Sequence, residues 1–241
     1  VIVLFIGFTI MLGEMVLGRS TQLSAYNAYK KLNAKWAFVG ALGVLAGFLI
    51  LSFYSVVGGW VMNYIWQYIV GGIPADTAGY FGSFISAPVT PLFWHLLFMA
   101  VTAAIVFKGI GGGIEKACKV MMPALFVILI VIAIRSMTLP GAGAGIAYYI
   151  VPDFSKLNAS VLIAALGQVF FSLSLGMGCI ITYGSYLGKE QNLEKNALIV
   201  PFLDTLVAIL AGFAILPAVF AFGLEPGAGP GLMFVTLPQV F

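Results

Sequence analysis

Six residues combine chemical capacity with an apolar setting: Glu14 in MLGEMVLGR, Ser172, Ser174, Gly176 and Gly178 in VFFSLSLGMG, and Asp204 in PFLDTLVAILAG. A charged side chain in the middle of a membrane helix costs about 2.5 to 3.5 kcal/mol on insertion scales. No Lys or Arg stands within a turn or two of Asp204, so a bound cation, a proton or a group on another helix must compensate it. Hydroxyls and carbonyls are hard oxygen donors suited to a hard cation. Glu14 lies nearer the end of its apolar run, where it can share the interface with Arg19 or hydrogen-bond to backbone freed elsewhere.

The element that must position these groups is Leu166 to Tyr186, LGQVFFSLSLGMGCIITYGSY. It is apolar enough for a bilayer, yet two hydroxyls and two glycines occupy its middle, so the sequence predicts a helix broken around Ser172 to Met177. Unpaired backbone in hydrocarbon costs several kcal/mol, and a break persists only where protein, water, an ion or a ligand meets it. Small residues also let membrane helices pack closely. The segment alone therefore leaves a packing role and a binding role both open.

The chain is 62% hydrophobic and 8% charged, with mean hydropathy +1.11. A soluble domain carries about 25% charged residues, so this composition reads as an integral membrane protein. A net charge of +3 gives no reason to expect nucleic acid. Cys118 and Cys179 lack metal-ligand spacing and read as packing residues, and His95 is the single histidine. Val1 to Gly18 is apolar without an initial Met, a basic leader or a cleavage site, so the chain is expected to open inside a span of a longer protein.

Six runs are long enough to span: about 1–18, 37–70, 92–107, 117–138, 159–187 and 197–223. Arg19, Lys30, Lys31 and Lys35, then Lys108, Lys116 and Lys119, then Lys189 and Lys195 fall in or beside alternate connections, which the positive-inside rule makes cytoplasmic. The first span then runs inward. The segment from Arg19 to Lys35 can form a short basic helix at that interface, 71–91 reads as an irregular outer loop, and Gly109 to Gly113 reads as a tight turn.

Gly43, Gly47, Ile50 and Tyr54 share one face of the second span, so a neighbouring helix can approach and find a phenol beside it. No paired carboxylates at a plausible spacing, nucleophile motif or His/Cys cluster accompanies them, and nothing supports an enzyme.

Several linked segments resemble the neurotransmitter:sodium symporters, in particular their bacterial amino-acid-transporting branch. They are GEMVLGR (13–19), FYSVVGGW (53–60), KGIGGGIEKACKVMMPALF (108–126), LPGAGAGIAYYIVPDFSKL (139–157), the broken segment, and LDTLVAILAGFAILPAVFAFG (203–223). The resemblance implies an all-α membrane fold of two inverted five-helix repeats, with discontinuous helices already familiar from this family. The six spans match its second to seventh helices, and 229–241 matches the start of its outer lid loop. One incomplete transport domain is expected, without the first helix or those after the seventh.

Carried over residue by residue, the resemblance gives Tyr54 the substrate carboxylate and outer gate, Ile50 a pocket wall, and Phe171 the aromatic lid. Ser174 and Met177 take pocket positions beside the break, where the carbonyls of Phe171 and Ser172 would meet the substrate ammonium. Ser172 and Asp204 become sodium ligands. Asp204 stands where many members have asparagine, and Ala208 stands where chloride-dependent members have serine, so chloride-independent transport is expected. Glu14 supports the unwound backbone, and Gln168 is a polar neighbour.

The implied function is sodium-coupled symport of an amino acid, hydrophobic or aromatic given the adaptable Met177, by alternating access across the bacterial inner membrane. The implied partners are the amino acid, sodium and the lipid bilayer, with no nucleic acid and no organic cofactor. A non-transporting sensor or scaffold on the same fold is the alternative. A channel is a further rival, but it would need polar residues along a continuous path, whereas polarity here gathers at one depth around Ser172, Ser174 and Asp204.

Overall fold

The computed structural model describes residues 2–224, 226 and 229–240. The expected start of the first span at Val1 and end of the lid segment at Phe241 lie outside the described residues. Long apolar runs with few charges satisfy their backbone only by coiling. Accordingly the described residues form helices joined by short connections, with no strand among them.

The helices are α1 (Phe8–Thr21, entered through a π-turn at Val3–Gly7), α2 (Ala25–Leu32), α3 (Ala37–Val70), α4 (Thr77–Ser86) and α5 (Thr90–Phe107). They continue with α6 (Lys116–Met137), α7 (Ala142–Ile150), α8 (Ala159–Ser172), α9 (Cys179–Ser185) and α10 (Leu193–Ala221). Five stretches are long and apolar enough to cross a membrane: Val3–Thr21, Ala34–Val70, Thr90–Phe107, Ile110–Met137 and Leu193–Ala221. The remaining expected span, 159–187, is divided into α8 and α9.

Two connections differ from expectation. The stretch 71–91 contains α4, which starts where the Asp76 carboxylate accepts the Gly79 amide proton at 2.9 Å. Gly109 turns with φ of 76°, but Ile110–Glu115 is already helical and leads into α6. The segment matched to the start of the outer lid is helical in its described part through Leu232–Thr236 and Leu237–Val240, which leaves that match as it stood. Basic α2 lies within Arg19 to Lys35, as expected.

The chain divides into two units, one running up to Leu51 and resuming at Asp153–Leu206, the other comprising Ser52–Pro152 and the chain from Val207 onward. In the first unit, α1 lies against α9. Gly18 sits on the backbone of Ile181 and Gly184 on that of Met15, so close that a Cβ at either position would overlap main chain. Met11, Met15, Val169, Leu173, Leu175 and Ile180 fill the space around this contact. Small residues thus substitute for the hydrophobic drive that helices lack in lipid.

In the second unit, Gly145 of α7 meets the backbone of Leu216 and Pro217 on α10, and Gly59 of α3 meets that of His95 on α5. An aromatic cluster of Trp60, Tyr64, Tyr80, Phe81 and buried Phe234 joins α3, α4 and the segment after Gly229. Tyr64 Oη donates to the Phe234 carbonyl at 2.8 Å, and Thr77 Oγ1 donates to that of Val235 at 2.9 Å.

Candidate functional site: a capped break between α8 and α9

The break is built from its own residues. At the end of α8 the Leu175 amide reaches back to the Phe170 carbonyl at 2.9 Å and the Ser174 amide to that of Phe171 at 3.2 Å. These are the two bonds of a Schellman cap, which needs a left-handed residue where glycine is usual. Here Ser174 takes that position, with φ of 54°. A side chain in this conformation costs about 1 to 2 kcal/mol relative to the right-handed one. Gly176 and Gly178 then turn the chain with φ of 75° and 73°, and α9 begins. The cap already uses the Phe171 carbonyl, which accepts from the Ser174 amide and is the oxygen the resemblance assigns to a substrate ammonium.

Glu14, on α1, is 8% exposed. Its Oε1 accepts the Gly176 amide proton at 2.7 Å, while Arg19 donates to the Gln191 carbonyl at 2.7 Å. Of its two possible partners, the carboxylate takes the freed backbone. Its other oxygen, Oε2, has no hydrogen-bond partner among the described residues. Glu14 borders a cavity of about 50 Å³ shared with Tyr29, Gly40, Gly43 and Gly178. Burial, and then the Glu14 carboxylate, hold the Tyr29 phenol above its ordinary pKa.

On the other side of the break, Ser172 Oγ donates to the Asp204 carboxylate, with the two carboxylate oxygens at 2.9 and 2.7 Å. A helix end thereby meets a partly buried acid of α10. A single hydroxyl proton leaves carboxylate and hydroxyl lone pairs available to a cation. Among the described residues no three of His, Cys, Asp and Glu converge as a metal cluster, so a cation here would draw on hydroxyl, carbonyl and a lone carboxylate.

The glycine stripe of α3 is a wall of the same region. A Cβ at Gly43 would come within 3.2 Å of the Gly176 carbonyl and 3.3 Å of the Gly178 amide, and one at Gly47 within 3.6 Å of the Met177 carbonyl. Ile50 follows on α3, partly buried. Phe171 is 39% exposed, Met177 is partly buried, and Gln168 is exposed one turn before Ser172. The first unit thus brings Glu14, Ser172, Ser174, Met177 and Asp204 to the break. Tyr54 lies in the second unit, 51% exposed, with its ring 5.9 Å from that of Phe53.

Tyr29 was not foreseen from the sequence. Its signal was available: α2 carries Ala25 and Ala28 on its buried side, and Tyr29 adjoins them within a short amphipathic helix.

The family model described as Sodium:neurotransmitter symporter family matches residues 86–240. An "Uncharacterized sodium-dependent transporter YhdH" of Bacillus subtilis is 43% identical, over 99% of this chain and 54% of its own length. An uncharacterized sodium-dependent transporter of Haemophilus influenzae is also 43% identical, over 98% of this chain and 55% of its own. The crystal structure of MhsT in complex with L-phenylalanine superposes with a TM-score of 0.93 at 48% identity, covering 99% of this chain and 56% of that one. The chain spans about half the length of the curated relatives it matches. The broken α8–α9 segment, the all-helical fold and these likenesses agree: the chain is that of an integral membrane protein and belongs to the Sodium:neurotransmitter symporter family, a family of transporters and not of enzymes.

Proposed function

We propose that the full-length protein containing this chain is a symporter of the bacterial inner membrane that uses a sodium gradient to take up an amino acid by alternating access. The observation that carries this reading is the break itself, capped by Ser174, braced by Glu14 and joined through Ser172 to Asp204. A zwitterion needs carbonyls for its ammonium and donors for its carboxylate, and a discontinuous helix supplies both at one depth. Ser172 and Asp204 are the proposed sodium ligands. Ile50, Tyr54, Phe171, Ser172, Ser174 and Met177 are the proposed substrate contacts, with Glu14 and Gln168 in support.

Hydrophobic and aromatic amino acids are the substrates we propose. The 48% identical MhsT was crystallised with L-phenylalanine, and Met177 provides a side chain able to repack around a large group. With Asp204 supplying negative charge and Ala208 lacking a hydroxyl, uptake is independent of chloride. The test is uptake of labelled amino acids into liposomes carrying the full-length protein, with and without a sodium gradient, and with chloride replaced by gluconate. Sodium-driven uptake that ignores chloride supports the reading. Amino-acid binding without uptake or counterflow would instead identify a sensor or scaffold.

A further inference from the structure

The end of α5 and the start of α6 enclose a groove of about 370 Å³ in the second unit, remote in sequence from the break. It exists because Gly113 lies directly on the Ile105 carbonyl, where any Cβ would overlap, so the two helices converge at that point and diverge beyond it. One end of the groove carries Lys108 and Lys116. Its remaining lining includes partly buried Ile105 and Ala117 and two exposed apolar side chains, Val120 at 70% and Met121 at 63% exposure.

The charges do not cancel locally. The nearby acid, Glu115, is engaged by Lys119 at 2.6 Å, and neither Lys108 nor Lys116 has an ion-pair partner among the described residues. Two uncompensated ammonium groups at the mouth and a hydrocarbon-like trough beyond them are complementary to an anionic amphiphile. A free phosphate would leave the trough empty. A zwitterionic headgroup would bring its own cation towards the lysines. The charge distribution of the loops puts this mouth on the cytoplasmic side, at the level where phospholipid phosphates lie.

We propose that this groove binds one anionic phospholipid of the cytoplasmic leaflet, its phosphodiester held by Lys108 and Lys116 and its upper acyl chain lying along Val120 and Met121. The full-length protein in detergent, titrated with phosphatidylglycerol or phosphatidylcholine and read by native mass spectrometry, tests this. Phosphatidylglycerol is expected to bind in preference to phosphatidylcholine. Each of Lys108→Gln and Lys116→Gln should weaken it about fivefold, the worth of one basic residue at an anionic surface, leaving phosphatidylcholine unaffected. Lys30→Gln with Lys31→Gln removes two cytoplasmic charges elsewhere and should not weaken it. Val120→Asp should weaken it even with both lysines intact. Equal retention of the two lipids, an equal loss in the Lys30/Lys31 variant, or displacement of the lipid by inorganic phosphate would overturn the proposal in favour of a diffuse field or a free-anion site.

Discussion

The Glu14 carboxylate and the Gly176 amide meet at 2.7 Å across 162 positions of sequence. The bond gives a partner to one backbone group that the break takes out of the helix. It also fixes the height of α1 against the break, because α1 packs on α9 through Gly18 and Gly184.

Removing the acceptor at Glu14 should loosen the break. Glu14→Ala leaves the Gly176 amide unpaired at a cost of about 1 to 3 kcal/mol, whereas Glu14→Gln keeps a carbonyl in place. Thermal unfolding of the full-length protein in detergent should show a clear drop for the alanine variant and a small one for glutamine. Equal drops would mean that the carboxylate charge, and not the hydrogen bond, is what matters.

Gly18→Ala puts a methyl group into the Ile181 carbonyl, and neither side is a flexible side chain. Separation of α1 from α9 should cost about 1 to 3 kcal/mol. Gly184→Ala, against the Met15 backbone, should behave alike. An unchanged melting temperature in both variants would contradict this close packing of α1 on α9.

Ser174 offers a separation of stability from binding. Glycine at this left-handed position should stabilise the protein by about 1 kcal/mol, while deleting a hydroxyl from the proposed pocket. The expected Ser174→Gly phenotype is a higher melting temperature with weaker substrate affinity, measured by scintillation proximity on the full-length protein. If affinity were unchanged, Ser174 would serve the cap alone.

Asp204→Asn removes the fixed negative charge while keeping an oxygen near Ser172. Liposome uptake should become chloride-stimulated or be lost, and adding Ala208→Ser should favour chloride stimulation. Wild-type-like, chloride-indifferent uptake in Asp204→Asn would remove Asp204 from the proposed charge compensation.

Much of the site was legible because its signals are local. Hydroxyls and glycines inside an apolar run announce a break wherever its partners lie, and the four-residue spacing of Gly43 and Gly47 places a smooth face that the structure sets against Gly176 to Gly178. Long-range choices were not legible. From its residues alone Glu14 had two partners open to it; the family resemblance pointed to the unwound backbone, and the fold supplies the particular amide, that of Gly176, while Arg19 turns to the Gln191 carbonyl. Helix α4 was hidden by the Gly, Pro and Ser residues around it, although Asp76 three positions before Gly79 was a readable cap. Glycine-rich α7 is weakly helical by propensity, and its close contact on Leu216 and Pro217 supplies what propensity lacks.

The segment after Gly229 is gripped by its main chain: Tyr64 and Thr77 hold two successive carbonyls, those of Phe234 and Val235, and Gln239 Nε2 donates back to Thr77 Oγ1 at 2.8 Å. Displacing this segment therefore means either carrying the bonded turns of α3 and α4 along with it or giving up these hydrogen bonds, so the grip acts as a latch whose strength is set by donors outside the segment.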